Sequence, residues 1–318
     1  MAVAETRVLH CPSSKVQTWF RGLSLAAGSS TFALVVLGGV VRVTGSGLGC
    51  PDWPLCYGSV VPPLEVEAII EYTHRVVASA LVGPLVLATC GLAWIAFRWE
   101  PWLTIPAGVA LLLLVGQAIL GGVTVVNELP GDIVVAHLAL GEALLGCLVL
   151  ISVVAYRGPP VRPAAGWVGS FPWLALASAG AVYVILMSGA YVTNTGATGA
   201  CLDWPLCQGD VFPEYRLQMI HMAHRLVTAI AGLFLGYVLY LGIRQGHRPA
   251  SIRLLSKGTA ALFLAQVLIG AVTVWLQFPA DFRGLHLGLA TAVWGAVLVL
   301  AVLSFTQRHL PAGEPADV

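Results

Sequence analysis

The stretch EYTHR at residues 71–75 opens a long apolar run, and it returns in altered form as HMAHR at residues 221–225. Two further histidines, His137 and His286, each lie near the start of another apolar run. With His74 and His224, four histidines therefore occupy matching positions in two halves of one chain. The fold prediction begins from the apolar runs that carry them.

The composition is that of a polytopic membrane protein. Of the 318 residues, 58% are hydrophobic and only 10% are charged, whereas soluble domains carry about 25% charged residues. A transmembrane helix needs about 20 mostly apolar residues, and lipid requires the backbone to be paired within each segment. The net charge of +1 and the lack of a basic cluster give no signal for nucleic acid. We predict an all-α protein with eight transmembrane helices near residues 19–44, 70–97, 102–127, 132–156, 171–194, 216–243, 254–277 and 283–306.

The two halves are internal repeats. GCPDWPLC at 49–56 returns as ACLDWPLC at 200–207, and QAILGGVTV at 117–125 returns as QVLIGAVTV at 266–274. Each half holds four predicted helices, and because four is even both halves cross the membrane in the same sense. The sequence predicts two pseudo-symmetric parallel four-helix bundles, one in residues 1–157 and one in residues 158–318, with a linker around 158–167.

The distribution of lysine and arginine predicts the orientation. Cytoplasmic loops of membrane proteins carry an excess of these residues. The richer set of loops contains Arg7, Lys15, Arg21, Arg98, Arg157, Arg162, Arg244, Arg248, Arg253, Lys257 and Arg308. The first apolar run is long enough to span and lacks a convincing small-residue cleavage site, so we do not expect it to be a cleaved signal. We predict a multi-pass protein of the plasma membrane with both termini cytoplasmic and the histidines near the outer face.

The loops after the first and fifth predicted helices each hold two cysteines around an Asp-Trp-Pro-Leu segment. These loops face the oxidising side, where disulfides persist. The short spacing and the proline favour closing each loop on itself, whereas a single four-cysteine zinc site would require the two loops to meet. Two disulfides are the preferred prediction, and zinc is the alternative, for Cys50, Cys56, Cys201 and Cys207.

The histidines form two pairs, each at one depth on alternate helices. His74 and His137 lie near the outer ends of the second and fourth helices, and His224 and His286 lie likewise on the sixth and eighth. Polar groups within a membrane are costly and usually functional. Histidine pairs inside a four-helix bundle suit axial ligation of haem iron. Zinc or copper would need further cysteine or carboxylate ligands at this depth, and these are scarce.

Acidic residues distinguish the two halves. Glu71 is three residues before His74 and shares its helix face, whereas His221 takes this position in the second half. A carboxylate beside a haem can move protons or stabilise a cation, so we predict chemistry in the first half and electron supply in the second. Glu142, near mid-bilayer, is a further candidate for proton movement or for bonding a facing helix, and Thr291 replaces it in the repeat.

Arginines follow the histidines at the outer helix ends, where haem propionates would emerge. Arg75 and Arg225 are the candidates for pairing with these carboxylates. Arg42 and Arg283 are further candidates, although their repeat positions lack arginine. For each of them, snorkelling to lipid headgroups is the alternative.

Taken together, the eight helices in two parallel halves, the Glu-x-x-His-Arg motif, the Asp-Trp-Pro-Leu-Cys loops and the four histidines resemble haem A synthases. The resemblance covers about residues 20–305 and is closest to the bacterial type with cysteine pairs in both outer loops. It implies oxidation of the methyl at pyrrole position 8 of haem O to a formyl group, giving haem A for terminal oxidases. It further implies a substrate haem on His74 and His137, catalytic Glu71, a haem b cofactor on His224 and His286, and disulfides Cys50–Cys56 and Cys201–Cys207.

Two other functions use parts of the same pattern. A dihaem b carrier between a quinol and an outside acceptor would use all four histidines but give Glu71 no special task. A parallel-repeat transporter would need charges or broken helices at the midplane, where Glu142 is the only acid. Expected partners are haem O, an electron donor, a haem O-making farnesyltransferase and the lipid bilayer, and a homo-oligomer is compatible with such bundles. His221 is either an additional ligand or a hydrogen-bonding residue.

Overall fold

The structure is a computed structural model that describes residues 13–160, 167–244 and 248–306. Long helices dominate these residues, and β-structure among them is limited to the isolated bridges Cys56–Ser59 and Cys207–Asp210. The helices are α1 (Ser14–Val43), α2 (Val66–Ala96), α3 (Pro101–Val126), α4 (Gly131–Arg157), α5 (Trp167–Asn194), α6 (Arg216–Arg244), α7 (Ala250–Trp275) and α8 (Ala280–Thr306).

All eight helices can cross a bilayer by length and apolarity. Their membrane candidates are 25 to 31 residues long, with mean hydropathy between 1.7 and 2.4, which confirms the predicted all-helical membrane protein. Several helices begin earlier than their apolar runs: α1 starts at Ser14, where Ser13 caps the first turn by accepting a hydrogen bond from the Val16 N–H. Both chain ends, predicted to be cytoplasmic, and residues 161–166 of the predicted linker lie outside the described residues.

Helix packing follows one pattern in each half. In the first half α1 contacts α2 and α4, and α3 contacts α2 and α4; in the second half α5 contacts α6 and α8, and α7 contacts α6 and α8. Helices α1 and α4 meet α8, and α4 also meets α5, so these contacts form the seam between the halves. The division at residues 157 and 158 into two pseudo-symmetric bundles stays a prediction. The four helices of each half thus form a closed set of contacts. The histidine-bearing helices α2 and α4 belong to the first set, and α6 and α8 to the second.

Helix α2 changes its hydrogen-bonding pattern just after the EYTHR motif. Residues Val77–Val82 adopt a π-helical turn before the α-helix resumes at Gly83. Pro84 has no N–H to donate and its ring crowds the preceding turn, which accounts for the local rearrangement. Segments of this type often lie at functional sites. Helix α6, the counterpart of α2, is a continuous α-helix.

The first disulfide loop (residues 44–65) and the second disulfide loop (residues 195–215) cover the helix ends near the histidines. Each contains a cis Trp-Pro peptide bond, Trp53–Pro54 or Trp204–Pro205. In the first loop the Asp52 carboxylate accepts hydrogen bonds from the backbone N–H groups of Tyr57 (2.6 Å) and Gly58 (2.7 Å). These bonds hold the pKa of Asp52 below its ordinary value, chiefly through the Gly58 N–H. The loops are thus folded units attached to α2 and α6.

Candidate haem-binding site

Each of the four histidines packs against a glycine of the preceding helix. A Cβ atom added at the glycine would meet the imidazole Cε1 in every case: it would clash at Gly270, be tight at Gly38 and Gly189, and make an ordinary van der Waals contact at Gly121. The distances would be 3.1 Å for Gly38 and His74, 3.5 Å for Gly121 and His137, 3.1 Å for Gly189 and His224, and 2.8 Å for Gly270 and His286. The structure therefore builds the same histidine–glycine contact four times.

The histidines come together in the two predicted pairs. His74 and His137 are close enough for their charges to interact, and so are His224 and His286. The Nδ1 atoms of His74, His137 and His286 are buried without a hydrogen-bond partner. Buried polar atoms normally find partners, so three imidazoles with an unsatisfied ring nitrogen, both of the first pair and His286 of the second, fit a site that completes itself around a ligand. Two facing imidazoles in a helical bundle are the donor set that haem iron takes.

Glu71 links the first disulfide loop to α2. Its side chain is 4% exposed, with Oε2 accepting from the Cys50 N–H at 2.8 Å and Oε1 paired with the guanidinium of Arg75. Arg75 also donates to the backbone carbonyls of Asp52 and Leu55, both at 2.7 Å, and of Cys50 at 3.1 Å. Arg75, the predicted partner of a haem propionate, thus uses most of its hydrogen bonds on carbonyls of the first disulfide loop. Glu71 lies one helical turn from His74, as the sequence predicted.

His221 performs the corresponding task in the second half. Its Nδ1 lies 3.0 Å from the Ala197 carbonyl, and its Nε2 lies 3.2 Å from a guanidinium nitrogen of Arg225. Arg225 donates in turn to the carbonyls of Asp203 (2.7 Å) and Leu206 (2.8 Å) in the second loop. Both ring nitrogens of His221 are therefore engaged. The structure favours the hydrogen-bonding interpretation of His221 over the ligand interpretation.

Arg42 and Arg283 connect the two halves at the seam. Arg42 reaches the Asn194 side-chain oxygen on α5 at 3.5 Å, and Arg283 on α8 donates to the Val43 carbonyl at 3.1 Å. Each arginine thus bonds a residue of the other half.

Both predicted disulfides are present. Cys50 bonds Cys56 and Cys201 bonds Cys207, with Cα–Cα distances of 4.7 and 4.9 Å, which are typical of disulfides. Among the described residues, no group of three or more histidine, cysteine, aspartate or glutamate side chains could hold a metal ion. All four loop cysteines are bonded in pairs and none is free as a zinc ligand, so the zinc alternative is wrong.

Glu142 lies at the seam rather than beside a histidine pair. Its side chain is fully buried, and Oε1 accepts from the Thr291 hydroxyl at 2.6 Å while Oε2 has no partner. Thr291 is the residue that replaces Glu142 in the repeat. Glu142 thus bonds a facing helix, which was one of its two predicted roles.

Sequence reasoning missed the residues that support the histidines. Ser188 contacts Nδ1 of His224 through its hydroxyl at 2.8 Å, whereas the Gln266 amide nitrogen lies 3.4 Å from Nε2 of His286. The contacts between the histidines and the glycines were also missed. A signal was present for the glycines: Gly38 and Gly189 share a repeat position. Ser188 had no such signal, because Leu37 takes its place in the first half.

Comparisons with known proteins agree with these features. The chain is 32% identical over 290 residues to a haem A synthase of Alkalihalophilus pseudofirmus, covering 88% of this chain and 96% of that protein. It is 32% identical to a haem A synthase of Symbiobacterium thermophilum, covering 92% of this chain and 96% of that protein. A protohaem IX farnesyltransferase of Thermus thermophilus is 34% identical over 95% of this chain, which spans 52% of that longer protein.

A family model described as cytochrome oxidase assembly protein, COX15-CtaA, matches residues 21–298. This range runs from the first turns of α1 into α8 and includes both disulfide loops and all four histidines. The match extends over most of the chain and over both of its repeats. We conclude that the chain belongs to the COX15-CtaA family of cytochrome oxidase assembly proteins.

Proposed function

We propose that this protein is a haem A synthase, which oxidises the methyl group at pyrrole position 8 of haem O to a formyl group. The observation that carries the proposal is the duplicated pair of histidines, each set against a glycine, with a buried carboxylate beside only the first pair. The relatives named haem A synthase cover most of this chain and support the same activity. The product, haem A, serves terminal oxidases.

The two histidine pairs take different haems in this proposal. His74 and His137 hold the substrate, haem O, and His224 and His286 hold a resident haem b. When bound, haem b supplies one-electron exchange. The Ser188 hydroxyl fixes the orientation of the His224 ring through Nδ1, which leaves Nε2 as the ligand atom.

Glu71 is the proposed catalytic residue of the first site. Conversion of a methyl group to a formyl group is a four-electron oxidation that replaces two hydrogens with an oxygen atom. It needs an electron acceptor, an oxygen source and, for the protons released, a proton acceptor beside the substrate. The Arg75 guanidinium and the Cys50 N–H each bond one carboxylate oxygen, which fixes the position of the carboxylate on α2. An ionised carboxylate has further lone pairs beyond these two bonds, and Glu71 can use them to accept a proton.

Arg75 and Arg225 are proposed to act mainly by fixing the disulfide loops over the two sites. Their hydrogen bonds to loop carbonyls support this role. Propionate binding by the remaining N–H groups of these arginines stays a prediction. With the lysine- and arginine-rich loops on the cytoplasmic side, both haem sites lie near the outer face of the plasma membrane.

The Thermus relative suggests the partner. That protein carries the name of a farnesyltransferase, and this chain matches about half of its length. A chain that makes the farnesylated haem and a chain that consumes it handle the same membrane-bound intermediate. We therefore propose that this protein works with a haem O-making farnesyltransferase.

Haem extraction tests the proposal. The wild type and Glu71→Ala are expressed in a host that makes haem O but no haem A, and the extracted haems are identified by chromatography and mass. We expect haem A with the wild type only, and haem b bound to both proteins. Haem b alone in both proteins, with haem O available, would overturn the synthase proposal and would fit the dihaem electron carrier.

A further inference from the structure

A groove runs along the seam between the halves, on the inner side of the first histidine pair. This seam groove is a cavity of about 510 Å³ between α1, α4 and α8. Its end nearest the histidines is formed by Leu145 and Thr291, and its far end by Tyr156 and Arg157. Small residues, including Gly28 and Gly295, form its walls. The groove is apolar along nearly all of its length.

The dimensions of the seam groove relate it to the first site. Leu145 follows His137 by eight residues on α4, which is about 12 Å along the helix. From Leu145 to Arg157 the same helix advances by about 18 Å. Helix α1 connects the two places as well, because it carries Gly38 against His74 and Gly28 in the groove wall. Helix α1 therefore lines both the first site and the groove, and the groove begins about 12 Å along α4 from His137.

The repeat-related space in the second half is filled. Gly295 and Gly146 occupy the same repeat position, yet a Cβ atom on Gly295 would meet nothing within 4 Å. A Cβ atom on Gly146 would meet Leu298 at 3.5 Å and the ring of Trp294 at 3.7 Å. Trp294 takes the repeat position of Leu145, so a large indole replaces a leucine at the end of the space nearest the histidines.

The aromatic side chains of Trp294 and Tyr183 occupy this space and are fixed by packing and hydrogen bonds. Tyr183, at the repeat position of Phe32, packs against Trp294 with ring centroids 5.2 Å apart. The Trp294 indole N–H donates to the Glu142 carbonyl at 3.2 Å, and the Tyr183 hydroxyl donates to the Ala139 carbonyl at 2.8 Å. Buried aromatic rings with satisfied polar atoms are stable fillings. The chain therefore closes this space in one half and leaves it open in the other.

We propose that the seam groove binds the farnesyl tail of the substrate haem. This inference rests on the proposed function, in which the first site takes haem O and the second takes haem b. Haem O carries a hydroxyethylfarnesyl chain that haem b lacks. In parallel, the seam groove is open, whereas the repeat-related space in the second half is filled. An extended farnesyl chain is about 15 Å long, which the groove can accommodate.

Tail binding would select the methyl group that reacts. An apolar chain gains little by leaving lipid for an apolar groove, so packing and orientation are its main contributions. A haem carries several methyl groups on a nearly symmetric macrocycle, and two axial histidines do not fix its rotation. A tail held on one side does fix it, and thereby presents one methyl to the Glu71 side of the site.

The test compares haem O with protohaem, which has the same iron and no tail. The full chain is purified in lipid nanodiscs from a host without haem O, and each haem is titrated into the first site by absorbance. Gly295→Leu fills the groove, and Leu145→Trp copies the indole of the second half. Gly236→Leu, at an exposed glycine of α6 with nothing within 4 Å, is the matched control.

We expect the wild type and Gly236→Leu to bind haem O about tenfold more tightly than protohaem. Gly295→Leu and Leu145→Trp should reduce this preference to less than about twofold, with protohaem affinity unchanged. Retained protohaem binding shows that a variant is folded, and loss of the preference in either folded variant supports the proposal. Equal affinities in the wild type, or a preference that survives both substitutions, would overturn the proposal and assign the groove to membrane lipid. Failure of the wild type to bind either haem through His74 would instead overturn the proposed function.

Discussion

The two halves share their helix pairings and their histidine–glycine contacts, but they differ in what surrounds the histidines. In the second half Ser188 bonds the Nδ1 atom of His224, whereas Leu37 takes the position of Ser188 in the first half and Nδ1 of His74 has no partner. The first half adds the π-helical turn after His74 and the buried carboxylate of Glu71. A fixed histidine suits a resident cofactor, and a less constrained one suits a substrate that must bind and leave.

The largest expected difference between the halves is in which haem is lost when a histidine is replaced. His224→Ala should remove the resident haem b and abolish haem A formation, because one axial ligand is lost. His74→Ala should also abolish haem A formation but leave haem b in place. Absorbance spectra of the purified proteins and haem extraction measure both effects. Equal loss of haem b from the two variants would contradict the assignment of different haems to the two halves.

The next difference concerns Glu71 and His221, which share a repeat position. Glu71 contacts Arg75, and His221 contacts Arg225 at the equivalent position. Glu71→Gln keeps an oxygen for the Cys50 N–H but loses the charge, so we expect turnover to fall by about 10²–10⁴-fold with haem content unchanged. His221→Gln should leave turnover within about threefold. Rates of haem A formation from haem O, measured with both variants, distinguish the two roles. If the two substitutions reduce turnover equally, Glu71 acts only by holding the loop.

A smaller effect is expected at Ser188. Ser188→Leu gives the second half the residue of the first, and should speed the loss of haem b by about tenfold or more because the His224 ring is no longer oriented. Leu37→Ser is the reverse change and should anchor His74. Transfer of haem to an acceptor apoprotein measures the release rate. An unchanged release rate in Ser188→Leu would show that packing against Gly189 orients His224 without the hydroxyl.

These contrasts also show how far the sequence could be interpreted. The apolar runs predict the eight helices because lipid leaves the backbone few alternatives, and the paired cysteines predict their own disulfides because they lie so close along the chain. The carbonyl partners of Arg75 could not be predicted, since they depend on how the first loop folds around Pro54. The seam groove depends on which helices are neighbours, and helices apolar on all sides carry little periodicity to reveal that.

The smallest expected effect separates the two disulfide loops. The Asp52 carboxylate pins the Tyr57 and Gly58 N–H groups in the first loop, whereas in the second loop Gln208 accepts a hydrogen bond from Gln218 of α6 at 3.0 Å. Because the pKa of Asp52 is lowered in the folded loop, its stabilisation is present above the ordinary value of 3.8 and is lost as the pH falls through the folded pKa.

The first loop should therefore open in acid, below about pH 4, as Asp52 becomes protonated. The second loop should not open for this reason, because the Gln208–Gln218 hydrogen bond does not depend on a carboxylate. Asp52→Asn should remove the acid sensitivity and raise proteolysis of the first loop at neutral pH by about twofold, because an amide retains only one acceptor oxygen. Gln218→Ala is the matched variant for the second loop and should act equally at all pH values. Acid-dependent cleavage that persists in Asp52→Asn would assign the sensitivity to another carboxylate. The Asp52 carboxylate would then not be the interaction that distinguishes the first loop from the second.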